Sequence, residues 1–145
     1  MTHRTHTPYF AARPLGRSIR SLGCMSLLIA AAITVQSSEA TAADIVNVED
    51  FPIKVSHPMA EVELRIKKAG ARRGWKMKGV GPGELEAFIF VRTHMAKVTI
   101  AFSQVAFSIR YLDSINLKHK PGKIHSAYNR WVTNLKNDID VELSF

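Results

Sequence analysis

The side chains best suited to chemistry gather in one stretch of the chain, between Tyr111 and Asn129. Asp113 and Ser114 are adjacent there, and His125 follows, so the residue types of a hydrolytic Ser–His–Asp set are present. However, adjacent side chains on a strand point to opposite faces. The sequence also has no Gly-x-Ser-x-Gly nucleophile turn. We therefore expect Asp113 and Ser114 to bond nearby backbone groups rather than to catalyse a reaction.

Histidines in the same stretch raise the separate question of a metal site. His119 and His125 are the nearest candidate ligands, whereas His57 and His94 lie far away in sequence. The chain has no His-x-x-x-His pair and no Cys motif, so the spacing does not favour zinc. We predict no metal and no cofactor. A small hydrolase or metal-dependent enzyme built on Asp113, His119 and His125 stays open as the alternative function.

Residues 1–42 have the composition of a cleavable export signal. Arginines precede an apolar run of 11 residues, 25–35, and a small-residue segment ends in Ala40-Thr41-Ala42. The run is too short for a membrane-spanning helix, which needs about 20 residues. Cys24 precedes the run, so it is not placed as a lipid anchor. We predict cleavage near Ala42 or Ala43 and a periplasmic or secreted protein with no transmembrane segment in its mature form.

The mature chain is small, basic and free of cysteine. Residues 43–145 contain 16 Lys and Arg against 11 Asp and Glu, a net charge of +5. They suit one domain with one core, held by packing alone because no disulfide is available. Basicity often indicates a nucleic-acid partner, which an exported protein rarely meets. We predict an anionic envelope component or an envelope protein as the partner, with a solvated surface that binds nothing as the simpler interpretation.

Hydrophobic periodicity predicts a two-layer α+β sandwich: helix, four-stranded antiparallel sheet, helix, with both helices on one sheet face. Residues 43–55 form an extended lead-in, either an edge strand or a loop, and residues 56–145 form a single domain. The first helix is expected to begin near 56–58 and to end at Gly74. The last helix has an apolar stripe, with Trp131 as its main core anchor: Ile124, Tyr128, Trp131, Leu135 and Ile139.

The sheet face away from the helices is predicted to be half apolar and basic. Its members by alternation are Lys76, Lys78, Phe88, Phe90, Arg92, Lys97, Ala101, Arg110 and Leu112. Such a patch is a candidate contact surface. It is also compatible with a homodimer face or with a face covered by the lead-in. Aromatic and basic residues on a four-stranded sheet are typical of single-strand RNA binders, but the element order and the compartment argue against nucleic acid.

Two motifs carry a resemblance to a family. Residues 111–117 read Tyr-x-Asp-Ser-x-Asn-Leu, and residues 124–131 read Ile-His-x-x-Tyr-Asn-x-Trp. With Arg-Gly-Trp at 73–75 and Pro-Gly at 82–83, the pattern resembles small exported bacterial proteins, periplasmic or lipoprotein-like, of unknown function. The resemblance implies an envelope location and a compact domain, and it implies no substrate. Lipidated members have a cysteine after the apolar run, which this chain lacks.

The motif residues are the candidate binding site: Tyr111, Asp113, Ser114, Asn116, His125, Tyr128 and Asn129. We expect their main role to be architectural, tying the loop between the last strand and the last helix onto that helix. The predicted function is therefore a non-catalytic periplasmic domain with an envelope-associated binding or structural role.

Overall fold

The structure, a computed structural model, describes residues 42–145. The predicted export signal and Cys24 lie outside the described residues. Seven strands and two helices follow one another along the described chain: β1 (Ala42–Asp44), β2 (Val48–Pro52), α1 (Met59–Arg72), β3 (Lys76–Gly81), β4 (Glu84–Val91), β5 (His94–Phe102), β6 (Ala106–Ile115), β7 (Lys123–His125) and α2 (Ser126–Glu142).

The main sheet has five antiparallel strands in the order β2-β6-β5-β4-β3, and β1 pairs with β7 in a separate two-stranded ribbon. The α+β class agrees with the sequence prediction, but the four-strand count is wrong. Of the two alternatives for the lead-in, edge strand or loop, the structure has the edge strand: β2 extends the sheet beside β6 instead of covering a face. The sequence left the two open because the register shifts between Val48 and Phe51 and Asp50 adopts a left-handed φ of 44°. That irregularity removes the period-two signal of a strand.

Helix α1 connects the two edge strands of the sheet, β2 and β3. It ends where the sequence predicts, at Gly74, whose φ is +81°. The amide of Gly74 donates to Ala71 O and that of Trp75 donates to Gly70 O, both at 3.0 Å. This is the Schellman arrangement, which only glycine enters without strain. Trp75 is thereby turned back under the helix, where it is buried.

One hydrophobic cluster holds the fold together. The inward residues of β4, β5 and β6 belong to it, and so do the buried residues of both helices. Its α-helical members are Val62, Ile66, Ala69, Tyr128, Val132, Leu135 and Ile139. Glu142 adds a polar tie between the helices, because its carboxylate pairs with Lys68 at 3.2 Å and with Arg72.

Two expectations about α2 need correction. Ile124 lies in β7, and the helix begins at Ser126 because the preceding residues pair with β1. Trp131 is only partly buried at the edge of the core, whereas Tyr128 and Leu135 are fully buried. The buried stripe of α2 is therefore centred on Tyr128 and Leu135, and Trp131 lies at its edge.

The register of β6 changes near its end. Lys97 pairs with Asp113 and Val98 pairs with Tyr111, so Leu112 is an extra residue in a β-bulge. Beyond the bulge the alternation resets, which puts Asp113 on the outward face and Ser114 on the inward one. No helix within residues 42–145 is both long enough and apolar enough to cross a membrane.

Candidate functional site

Tyr111 is the centre of a cluster formed by the motif residues. Its ring stacks on His119, with centroids 4.7 Å apart and planes at 20°, and meets Tyr128 edge-on at 5.5 Å. Its hydroxyl lies 2.9 Å from Ser114 Oγ. Tyr128 is fully buried, and burial, with a smaller contribution from Tyr111, raises the pKa of its hydroxyl well above the usual value. The phenol of Tyr128 is therefore neutral at physiological pH.

Asn116 joins the β4–β5 turn to the segment after β6. It adopts a left-handed φ of 58°, which asparagine tolerates better than most residues. Its Nδ2 donates to Thr93 O at 2.7 Å, and its own carbonyl oxygen lies 2.7 Å from His94 Nδ1. The predicted architectural role of Asn116 has this geometric basis, although the partner turn was not foreseen.

His125 is the N-cap of α2. Its Nδ1 accepts a hydrogen bond from the Ala127 amide at 3.0 Å, which requires an unprotonated nitrogen. Burial lowers the pKa of His125, and electrostatic interactions with His94, Lys118 and Arg130 lower it further. The His94 ring lies 5.8 Å away, centroid to centroid. In the structure, Nδ1 of His125 is therefore occupied by the helix-capping hydrogen bond.

Asn129 ties the beginning of the described chain to α2. Its Oδ1 accepts from the Val46 amide at 3.0 Å, and its Nδ2 donates to Asp44 O at 2.7 Å. A second asparagine acts in the same way from the other side, because Asn47 Oδ1 accepts from the Tyr111 amide at 3.0 Å. Sequence reasoning missed Asn47. Its one signal is an asparagine between two short apolar segments, which is too common to identify a clamp.

The motif does not assemble a hydrolytic triad. Asp113 and Ser114 project to opposite faces, as the alternation argument predicted, and Asp113 Oδ1 accepts from the Ser114 amide at 2.7 Å. The Ser114 hydroxyl partners Tyr111 rather than a histidine. Within residues 42–145, no group of three or more His, Cys, Asp or Glu side chains is placed to hold a metal ion.

The outward sheet face has an apolar row at one end. Phe90, Met95 and Ile115 are cross-strand neighbours on β4, β5 and β6, and we call them the apolar row. Phe88 packs edge-on against Phe90 at 6.0 Å between centroids. The Phe90 side of this row is open, since that residue is 63% exposed. The prediction included Phe88 and Phe90 but missed Met95 and Ile115. Ile115 was missed because the bulge shifts the alternation of β6, and Met95 was missed because the predicted alternation of β5 began only at Ala96.

The centre of the same face is less basic than its lysines and arginines suggest. Lys97 Nζ lies 2.8 Å from Glu86 Oε2, and Arg110 Nε donates to Glu49 Oε2 at 3.0 Å. The bonds to Glu49 raise the pKa of Arg110. The face that the lysines and arginines predicted to be basic is therefore ion-paired at its centre.

Unpaired cations lie on β3, where Lys76 and Lys78 form no ion pair with the described residues, and also at the end of the sheet where the apolar row lies. Arg92 in the β4–β5 turn and Lys118 after β6 have left-handed φ values of 57° and 50°. Neither forms an ion pair with any carboxylate of residues 42–145. Asn116 holds the two turns together. We call this region, the 92–93 turn, the 116–118 segment and the apolar row, the hairpin end.

The sequence around the hairpin end is depleted in acid. From Ala87 to Asn137 the chain has eight Lys and Arg but one acidic residue, Asp113. Some of these cations find partners in distant segments, as Lys123 does with Asp44 at 2.8 Å. The cations of the hairpin end do not, so they contribute a local positive field.

Comparisons with known proteins add no assignment. A scan against protein-family models, a search of curated proteins and a search of solved structures each find no match to the chain. The resemblance of the two motifs to small exported bacterial proteins therefore stays a prediction. The fold and the site define an α+β domain in which most motif side chains bond backbone groups of the domain itself. The exposed Phe90 and Ile115 lie at the same end of the sheet as Arg92 and Lys118.

Proposed function

We propose that this protein is an exported, non-catalytic domain that attaches to anionic lipid headgroups of the cell envelope through its hairpin end. The observation that carries the proposal is that Phe90 and Ile115, the exposed members of the apolar row, lie at the same end of the sheet as the unpaired cations Arg92 and Lys118. The predicted export signal would deliver the chain to the compartment where such headgroups are found.

The chemistry of the hairpin end suits a lipid interface. Proteins that lie on a membrane combine apolar side chains, which enter the boundary between headgroups and acyl chains, with cations that attract anionic lipids. Each lysine or arginine near such a surface contributes about 1 kcal/mol. Phe90 and Ile115 would supply the apolar contact, and Arg92 and Lys118 the attraction.

The non-catalytic part of the proposal rests on how the motif side chains are used. Asn116, His125 and Asn129 use their polar side-chain atoms in hydrogen bonds to backbone groups. These bonds hold two loop segments and the beginning of α2 in place. The alternative, an enzyme using Asp113, His119 and His125, would need these groups to converge. His119 instead stacks on Tyr111, and Asp113 projects from the other side of the sheet.

Vesicle sedimentation tests the proposal. The protein is mixed with vesicles of phosphatidylglycerol and phosphatidylcholine, or of phosphatidylcholine alone. We expect binding to the anionic vesicles only, weakened by salt because exposed charges are screened. The Arg92→Gln/Lys118→Gln double variant should bind roughly 30-fold more weakly, from about 2 kcal/mol of lost attraction. Phe90→Ser should weaken binding by about tenfold.

Matched controls come from the opposite end of the sheet and from α1. Val105 in the β5–β6 turn is 71% exposed, so Val105→Ser removes a comparable apolar group from the far end. Lys54→Gln/Lys67→Gln removes the same charge elsewhere. Both controls should bind as the unmodified protein does. Equal binding to neutral vesicles, or equal losses in control and test variants, would refute the proposal. The proposal would also be refuted if the protein failed to bind because its hairpin end is buried in a homodimer. Sedimentation velocity detects such a dimer.

A further inference from the structure

Strand β3 forms one edge of the main sheet. It pairs with β4 along one side only, and no backbone hydrogen bond joins its other side to any segment of residues 42–145. All of its residues except Met77 are exposed. Helix α1 packs on the inward side of β3, where a side chain at Gly70 would meet Met77 Cε, and it leaves the edge uncovered. The backbone amides and carbonyls along this edge are therefore free to pair with a further strand.

The two edges of the sheet differ in how they resist a further strand. Strand β2 has a register shift between Val48 and Phe51, a left-handed residue within that shift, and Pro52 at its end. Bulges and prolines of this kind hinder edge-to-edge pairing. Strand β3 has no proline, and its register with β4 is regular from Lys76 to Gly79. The β3 edge thus offers a regular stretch of four residues, protected only by the charges of its lysines.

Those charges define which strand the edge can accept. Lys76 and Lys78 are on the outward face, and neither forms an ion pair with a described carboxylate. Glu86 is the cross-strand neighbour of Lys78, but its carboxylate lies 2.8 Å from Lys97 Nζ. Like charges on adjacent strands repel and opposite charges attract. An antiparallel pair of β3 strands from two copies would put four lysines on one face, so the charge favours an acidic strand instead.

We infer that the β3 edge binds an extended acidic segment of another protein, which adds a sixth strand to the main sheet. In this mode of recognition, main-chain hydrogen bonds give affinity and alternate side chains give specificity. Acidic side chains at every second position would lie beside Lys76 and Lys78. The intervening side chains would lie beside Met77 and Gly79, where small or apolar residues are suited. This partner is distinct from the lipid surface proposed for the hairpin end.

Short synthetic peptides test the inference. The probe alternates glutamate and threonine over about eight residues, which exceeds the regular stretch of the edge, and carries a fluorescent dye for anisotropy measurements. Peptides with lysine or glutamine in place of glutamate test the charge, and a peptide with its glutamates and threonines in two separate blocks tests the alternation. We expect the alternating acidic peptide to bind at least about tenfold more tightly than these three. In a ¹⁵N-labelled sample, its binding should slow hydrogen exchange at alternate amides of β3.

N-methylation of the peptide separates strand addition from simple attraction of charge. Successive residues of a strand present their amides to opposite edges, so methylating every second residue removes the donors of one edge only. Methylation of one series, either the glutamates or the threonines, should abolish binding, and methylation of the other series should preserve it.

Charge variants of the protein complete the test. Lys76→Gln/Lys78→Gln should weaken binding of the acidic peptide about tenfold. Lys54→Gln/Lys118→Gln removes the same charge from the segments after β2 and β6, away from β3, and should bind the peptide as the unmodified protein does. Absence of binding, equal effects of the two methylation series, or equal losses in the two double variants would overturn the inference. Protection of alternate β3 amides without any peptide would also overturn it, because the edge would then be occupied by a second copy.

Discussion

The motif residues act individually as backbone clamps. Asn116 bridges two turns, Asn129 holds the segment before β2, and His125 caps α2. Each forms a hydrogen bond that an apolar side chain of the same size could not form. The identity of these residues is therefore explained by loop architecture, with no substrate required.

The cap made by His125 leads to a prediction about pH. The pKa of His125 is lowered in the folded protein, first by burial and then by His94 and neighbouring cations, so the fold favours the neutral ring. The unfolded chain binds the proton more readily, near pH 6.5. The stability that His125 contributes is therefore complete above this pH and is lost as the pH falls below it.

Urea unfolding at pH 7.5 and at pH 5.0 measures this effect. Asparagine also caps helices but does not titrate. We expect His125→Asn to show a smaller loss of stability between the two pH values than the unmodified protein shows. His57→Asn is less suitable as a control, because His57 is buried against Leu143 O. His119→Asn, at an exposed position, controls for the general effect of removing a histidine. The same pH dependence in His125→Asn and in the unmodified protein would contradict the capping account.

At the level of elements, the start of α2 and the bulge in β6 determine which side chains face the core and which face outward. The spacing of apolar residues correctly predicted a helix here. It also placed Trp131 on the buried stripe, which the structure corrects, because the residues of β7 pair with β1 and the helix begins only at Ser126. Leu112 is the extra residue of a bulge in β6 and shifts the alternation of the side chains that follow it, although the sequence of the strand looks regular. Both effects depend on the neighbouring strand, so neither leaves a signal in the local pattern.

The corrected position of Trp131 changes the expected cost of truncating it. A fully buried tryptophan would cost about 3–5 kcal/mol on replacement by alanine. Trp131 keeps part of its surface in solvent, so we expect about 1–2 kcal/mol for Trp131→Ala. Leu135→Ala, one turn later and fully buried, should cost more, about 2–5 kcal/mol. Thermal unfolding of the two variants measures the order, and a larger loss for Trp131→Ala would restore it as the main anchor.

For the whole molecule, the distribution of charge separates two surfaces. Two acidic residues neutralise the centre of the outward face, Glu49 from β2 and Glu86 from β4. The hairpin end keeps its positive charge because the chain around it contains few acids. The sum of charges, +5 for residues 43–145, does not reveal this separation.

Export is also a property of the whole chain and has its own test. If the predicted signal is cleaved, the periplasmic fraction should contain a protein that begins at Ala43 or Asp44, identified by intact mass. Either start leaves Asp44 O and the Val46 amide in place for Asn129. A cytosolic marker enzyme controls the fractionation. Recovery of the uncleaved chain with that marker would contradict the predicted location and, with it, access to the envelope.

The sequence by itself determined the α+β class, the extent of α1 and the run of antiparallel strands from β3 to β6, because these depend on periodicities among near neighbours. It also predicted the opposed orientation of Asp113 and Ser114. Only the tertiary structure decided that the lead-in forms a fifth strand, that Asn129 holds it, and that Arg110 is neutralised by Glu49. These contacts join residues more than 50 positions apart. Their partners are chosen by the packing of the whole chain, so no local pattern specifies them.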